Sequence, residues 1–209
     1  MMFHVKQSET HVIATRAFKK HEKTLLQYAD RLLWWNKKVN LVSRDVSRET
    51  IIKHIEHSLT LSAHLDTAST WVDAGSGGGL PGIPLAIAHP EKEFIVNDIV
   101  QKKCTVLKAL IRELELTNIQ AKEGSIADIE MNSNMGVCTK HAFKIPQLLS
   151  MIAEKASQPA AVLWLKGFEE ANQDVNQHPQ KELFEIQLLD NGSDPFYSGK
   201  AIVKWSQKP

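Results

Sequence analysis

Apolar residues recur at helical spacing from about Ala17 to Lys37, where Phe18, Leu25, Ala29, Leu32, Leu33 and Trp35 are separated by Lys, Glu, Asp and Arg. That spacing predicts one amphipathic helix. Trp34 and Trp35 form an adjacent pair on it, readable as a stacking platform but better read as docking the helix onto the core, because aromatics carry much of the apolar area available for packing. A second helix is predicted to begin near Ser47, a suitable N-cap, with Ile51, Ile55 and Leu59 at i, i+4 and i+8. Residues 1–67 therefore read as a helical cap.

Beyond Thr70, short apolar runs alternate with helical stretches: Trp71-Val72, Ile83 to Ala88, Phe94-Ile95-Val96 and Cys104 to Leu116. Further strand candidates are Ile119 to Ala121, Gly136 to Thr139 and Ala160 to Leu165, with a helix from about Pro146 to Ala156. Such alternation signals β-α-β units and a parallel sheet. After Lys166-Gly167 come a charged stretch and two β-rich runs, Phe184 to Leu189 and Ala201 to Trp205. Between these runs, Asn191-Gly192-Ser193-Asp194-Pro195 supplies turn chemistry. The expected fold is α/β, a mostly parallel seven-stranded sheet closed by an antiparallel C-terminal hairpin, over residues 68–209.

Composition narrows the function classes. The 209 residues suffice for one buried α/β domain with an extension. With 25 Lys and Arg against 24 Asp and Glu, any nucleic-acid contact must be a local patch rather than bulk charge. Lys19-Lys20, Lys37-Lys38 with Arg44 and Arg48, and Lys102-Lys103 are candidates for such a patch, or solvated faces. The N-terminal residues lack an apolar signal core and no stretch approaches the roughly 20 apolar residues that span a bilayer, so a cytoplasmic protein without membrane contact is expected. Cys104 and Cys138 form no C-x-x-C and read as small core residues. His54 and His57 share a helix face, but no acid or Cys completes a familiar ligand spacing, so no metal site is predicted.

The densest chemistry lies in Val72-Asp73-Ala74-Gly75-Ser76-Gly77-Gly78-Gly79-Leu80-Pro81-Gly82-Ile83-Pro84, which follows a strand and opens a helix. Glycines there permit positive φ and close approach of a ligand to the main chain. Asp73 would sit at a strand end facing a cationic amino or sulfonium group, and helix amides just beyond could hold a ligand carboxylate. One β-α-β unit later, Asp98 ends a second strand, a position suited to gripping a ribose diol. An adenosine-containing ligand is implied. Gly77-x-Gly79-x-x-Gly82 formally satisfies the dinucleotide fingerprint. S-adenosylmethionine is favoured by the acid leading the glycines and by Pro81 and Pro84, which remove amides that a pyrophosphate would want.

These residues resemble the bacterial glucose-inhibited division protein B family, the small-subunit ribosomal RNA guanine-7 methyltransferases. Trp35-Asn36-Lys37-Lys38-Val39-Asn40-Leu41-Val42-Ser43 is similar to the family's W-N-K-x-x-N-L-T-S, and Asp73 through Pro84 to its D-V-G-T-G-x-G-x-P-G-I-P. Asp98 with Lys102 and Lys103 resembles L-D-S-x-x-K-R, and Leu165-Lys166-Gly167 with Glu170 resembles the L-K-G segment. Two family signatures are altered. I-S-R-A-F reads Thr139-Lys140-His141-Ala142-Phe143, and R-H-x-x-D-S reads Lys53-His54-Ile55-Glu56-His57-Ser58.

The resemblance implies a Rossmann-like class I methyltransferase fold with an N-terminal helical extension. It also implies S-adenosylmethionine as donor, S-adenosylhomocysteine as product, and 16S rRNA in the small ribosomal subunit or an assembly intermediate as substrate of a monomeric enzyme. Donor contacts would come from Asp73, Gly75, Ser76, Gly77, Gly79, Leu80, Asp98, the Ile126-Ala127 pair and His141. Methylation at the seventh nitrogen of guanine uses a lone pair that carries no proton, so no general base is required. Lys166, His141, Phe143 and Phe168 are the candidates for positioning the base. The altered signatures leave two rivals: the same fold with another substrate, and a non-catalytic RNA-binding or donor-sensing protein.

Overall fold

The computed structural model describes residues 7–153, 157–190, 192 and 194–206. Seven strands form one sheet in the order β3-β2-β1-β4-β5-β7-β6: β1 (Thr70–Ala74), β2 (Glu93–Asp98), β3 (Ile119–Glu123), β4 (Met135–Lys140), β5 (Ala161–Gly167), β6 (Phe184–Leu188) and β7 (Lys200–Ser206). The first five are parallel, and β7 runs antiparallel to both β5 and β6. Seven helices accompany them among the described residues: α1 (Gln7–Lys20), α2 (Glu22–Asn36), α3 (Arg48–Leu59), α4 (Gly82–Ala88), α5 (Gln101–Glu113), α6 (Ile145–Ala153) and α7 (Phe168–Asn176).

Both sheet faces are covered, which is why the central strands are near-continuous apolar runs. Alternation along β5 shows the division: Ala161, Leu163 and Leu165 join the cluster with the N-terminal helices, α4 and α5, whereas Val162 and Trp164 join the cluster with α6 and α7. Each fully buried Leu, Ile or Val adds ~1.5–3 kcal/mol to this packing. Leu25, Tyr28, Leu32, Ile51 and Ile55 of the N-terminal helices lie in the same cluster as Trp71 and Val96 of the sheet.

The N-terminal region corrects two expectations. The single helix from Ala17 to Lys37 is two helices, with a break at His21, whose backbone (φ −118°, ψ 19°) leaves the helical region. The break turns α1 onto the 3₁₀ segment Thr60–Thr67, while α2 runs along the glycine-rich loop. Trp34 is not a core residue: it is 44% exposed, meets Trp35 edge to face, and carries the Lys38 ammonium 3.4 Å above its ring. Neighbouring helical residues point about 100° apart, and at this end of α2 Trp35 takes the side toward the core while Trp34 turns to solvent. Ser47 does cap α3, accepting from the Thr50 amide at 3.1 Å. Cys104 and Cys138 are buried and free. The expected helix to Ala156 and the turn at 191–195 extend over residues 154–156, 191 and 193, which lie outside the described residues. No helix of the described residues is long and apolar enough to cross a membrane.

Candidate functional site

The strand order reverses direction between β1 and β4, and in open α/β sheets a crevice forms at the carboxyl ends of the strands at such a point. The glycine-rich loop leaves β1 there. Gly75, Gly77 and Gly79 all have positive φ (70°, 57° and 104°). At Gly75 a side chain is also excluded by space, since a Cβ would lie 2.6 Å from the Ala142 Cβ and 3.0 Å from the Phe143 ring.

Two carboxylates hold the loop in shape. Asp73 is fully buried, and its Oδ2 accepts from the Ser76 hydroxyl and, at 2.8 Å, from the Gly82 amide. Its Oδ1 is buried with no partner among the described residues. Burial pushes the Asp73 carboxyl up to about 7, with the Asp98 charge adding to that, against the bonds from Ser76 and Gly82 that favour the anion. Asp98 is 5% exposed. Its Oδ2 accepts from the Gly77 amide at 3.0 Å, its Oδ1 from the Val100 amide at 2.9 Å, and Lys103 lies 3.6 Å away. Asp98 is therefore part of the loop's scaffold as well as a strand-end acid.

The back of the loop is built by the N-terminal segment. Tyr28 of α2 donates to the Gly78 carbonyl at 3.0 Å, and a Cβ on Gly78 would strike Leu32 at 2.7 Å. Asn36 ends α2 and folds the next turn around its side chain. It accepts from the Leu41 and Val42 amides at 2.9 and 3.0 Å and donates to the Ser43 carbonyl at 3.1 Å, which brings Leu41 against Gly77 and Gly78. The tryptophan-asparagine motif thus shapes the loop from behind.

The helix that follows offers less than its sequence suggests. The Gly82 amide is taken by Asp73, the Ile83 amide bonds the Gly79 carbonyl at 2.8 Å, and Pro84 has none, so the amides expected to hold a ligand carboxylate are already used. Leu80 is buried. Ile126 is a core residue beside Ile129 and Met131, while Ala127 is half-buried and donates its amide to Ser125 at 3.1 Å.

After β4, His141 has a positive φ of 56° and its amide bonds the Leu165 carbonyl at 3.2 Å. Part of its surface meets solvent, yet crowding around the ring and then the charges of Lys140, Lys200 and Lys166 bring its pKa down to about 4. Phe143 is half-buried under Gly75, and Phe168 is half-buried at the start of α7. Lys166 is neither solvated nor facing outward. At 3% exposure its ammonium pairs with Glu170 at 2.8 Å, lies 3.7 Å from Asp174 and donates to the Phe143 carbonyl at 3.3 Å, and Asp174 in turn accepts from the Ile145 amide.

Sequence reasoning overlooked Ile99, which follows Asp98 and is 75% exposed. A large apolar residue in a turn after a strand-end acid was the available signal. It also noted Lys140 only as a departure, although Lys140 Nζ lies 2.7 Å from His57 Nδ1 and the His57 and His141 rings are 6.2 Å apart.

A family model described as rRNA small subunit methyltransferase G (GidB) matches residues 21–190. The chain belongs to this family. Its relatives include the ribosomal RNA small subunit methyltransferase G of Chlorobaculum tepidum, 35% identical over 187 residues that cover 86% of each chain. The protein of the same name from Chlorobium chlorochromatii is 31% identical over 187 residues, 86% of this chain and 80% of that one. Among solved structures, an O-methyltransferase from Bacillus cereus in complex with SAH superposes with a TM-score of 0.55 at 13% identity, over 87% of this chain and 91% of that one. A ribosomal protein L11 methylase from Lactobacillus delbrueckii gives 0.54 at 16% identity, over 75% and 79%. The fold of this GidB family member is the Rossmann-like class I methyltransferase fold, and the chain is a methyltransferase of the small-subunit rRNA family.

Proposed function

We propose that this chain transfers the methyl group of S-adenosylmethionine to the seventh nitrogen of a guanine in 16S rRNA, acting on the small ribosomal subunit or an assembly intermediate in the bacterial cytoplasm. The observation that carries the reading is the glycine loop at the switch point, held open from beneath by Asp73 and Asp98 and from behind by Tyr28 and Leu41, in a chain of this family. The loop fits the donor in two further respects. The unpartnered Asp73 Oδ1 leaves one acceptor at the base of the loop, and exposed Ile99 offers an apolar face beside the proposed ribose acid where an adenine could lie. Gly75, Ser76, Gly77, Gly79, Leu80, Asp98, Ile99, Ala127 and the backbone of Ile126 would line the donor, with His141 at its methionine end. Residues 1–67 serve in this reading as a cap that stiffens the loop, and residues 68–209 as the catalytic domain.

The donor supplies an electrophilic methyl group on a sulfonium. The chain's own task is to place the guanine in line with it, an alignment that can contribute ~7 kcal/mol or more to lowering the barrier. The attacking lone pair is unprotonated at neutral pH, so none of the titratable groups has to remove a proton first. Phe143 and Phe168, half-buried just after β4 and β5, would be the rings that stack on an unstacked base in this reading. Lys166 acts through the segment it anchors: by binding the Phe143 carbonyl, with Asp174 binding the Ile145 amide, it fixes where the Phe143 ring stands.

Incubation with radiolabelled S-adenosylmethionine and either small subunits or free rRNA, followed by mapping of the labelled nucleotide, tests the reading. One 7-methylguanosine in 16S rRNA is expected. Labelling confined to protein or a small molecule would remove the rRNA substrate, and tight donor binding without transfer to any RNA would favour a non-catalytic homologue.

A further inference from the structure

Beside the donor loop, α3, β4, the 3₁₀ turn Pro195–Tyr197 and β7 bring together basic groups that have no acidic partner among the described residues. Lys140 Nζ lies 2.7 Å from Nδ1 of the fully buried His57. With Lys140 donating, the His57 proton resides on Nε2, and that atom has no partner among the described residues. His54, one helical turn earlier, has a buried Nδ1 that is likewise unpartnered. His141 closes the group from the end of β4, and Lys200 from β7, its ammonium 4.2 Å above the Phe196 ring that both α3 histidines pack against.

The acids near this group are engaged elsewhere. Glu170 pairs with Lys166, Asp194 and Glu56 with Lys53, and Asp73 with Ser76 and Gly82. Among the described residues, no carboxylate forms an ion pair with Lys140, Lys200, His54, His57 or His141.

A folded protein does not gain from gathering five basic side chains and two unpartnered ring nitrogens unless something else satisfies them, since buried polar groups are costly to leave unmade. We propose that Lys140, His57, His54, His141 and Lys200 form an oxyanion site that takes one backbone phosphate of the RNA substrate next to the methyl donor. A phosphate oxygen is an acceptor for every donor in the group, and its charge offsets the mutual repulsion of Lys140 and Lys200. At the first altered family signature His57 replaces an acid, and at the second Lys140 and His141 replace serine and arginine, so a basic side chain stands at all three positions. The assignment of the anion to RNA rests on the rRNA methyltransferase reading, whereas the anion site itself does not.

The test uses sulfate, whose charge is constant across the pH range of interest. Isothermal titration and thermal shift of the intact protein with low-millimolar sulfate at pH 6.5 are expected to show saturable binding, weakened roughly tenfold or more in Lys140→Met and in the partly exposed variant His141→Ala. Because sulfate also stabilises proteins without binding, the variants serve as the reference for that general effect. Absence of saturation in the wild type, or equal affinity in both variants, would overturn the site. Competition then identifies the natural anion. Sulfate is expected to weaken binding of a single-stranded RNA oligonucleotide more than it weakens binding of S-adenosylhomocysteine, whose methionine end shares only His141 with the site. The reverse pattern would assign the site to the donor's carboxylate and overturn the RNA assignment. Saturable sulfate binding in a protein that methylates no rRNA would leave the site standing while the functional reading fell.

Discussion

The glycine loop and the basic group beside it occupy the same edge of the sheet and are built on opposite principles. In the loop, Asp73 and Asp98 accept four described hydrogen bonds from the loop and its flanks, leaving Asp73 Oδ1 as the exception. In the basic group, two buried imidazole nitrogens lack partners and the nearby acids are turned away. The loop is therefore preorganised before a donor arrives, whereas the basic group is completed by what binds. Breaking the first should cost stability and donor binding together. Breaking the second should change anion binding and spare the fold.

The largest effect is expected at Asp73. Asp73→Ala leaves the Ser76 hydroxyl and the Gly82 amide buried without an acceptor, at ~1–3 kcal/mol for each group left unpaired. Urea unfolding should show a loss of about 2–4 kcal/mol, and titration with S-adenosylhomocysteine a roughly tenfold or greater loss of affinity. Unchanged stability would mean that the loop does not depend on this carboxylate.

Next comes the contrast between Asp98 and its neighbour Ile99. From sequence alone Asp98 is a ribose acid whose loss should spare the fold. Its bonds to the Gly77 and Val100 amides change that expectation. Asp98→Ala should lower stability by about 1–3 kcal/mol and also weaken donor binding. Ile99→Ala, at a side chain 75% exposed, should leave stability within ~0.5 kcal/mol yet weaken donor binding roughly three- to tenfold. If both variants moved only stability, neither residue would touch the donor.

The two regions also differ in how far they can be read from the chain. The loop is local: acid, glycines and prolines stand within 12 residues, and each has a steric or hydrogen-bonding reason that spacing reveals. The parallel sheet and its antiparallel hairpin were legible for the same reason, because apolar period and turn residues are short-range signals. The basic group joins α3 to β4 and β7 across more than 80 residues, as the Lys140 to His57 contact shows, and only strand order brings its members together. The break at His21 and the exposure of Trp34 were hidden likewise, since periodicity gives the axis of a helix but not what lies against each side. The burial of Lys166 was not legible because its partners Glu170 and Asp174 come from α7, whose packing under β5 the sequence does not state.

The smallest effect concerns acid stability, and its sign sharpens the comparison. His54 and His141 have pKa values near 4 in the folded chain, against an ordinary 6.5, because burial and the neighbouring lysines disfavour their charged forms, and buried His57 shifts the same way. Between about 4 and 6.5 the unfolded chain therefore binds more protons, and stability falls as pH drops through this window. Asp73, raised to about 7, acts oppositely: folded, it holds a proton that the unfolded carboxyl releases above 3.8, so it gains stability as pH drops through the same window. Lys140, held at about 7, is charged in both states at the acid end and adds little slope there. His54 and His57 outweigh the one carboxylate, with exposed His141 adding less because solvent screens it, so Tm is expected to fall on acidification. An oxyanion on the basic group favours the charged imidazoles and should flatten that slope, so melting curves from pH 4.5 to 6.5 in sulfate should be shallower than in chloride of equal ionic strength. Parallel slopes in the two salts would mean that no anion reaches these histidines, and a Tm that rises on acidification would mean that the loop carboxylate, not the basic group, governs the acid limb.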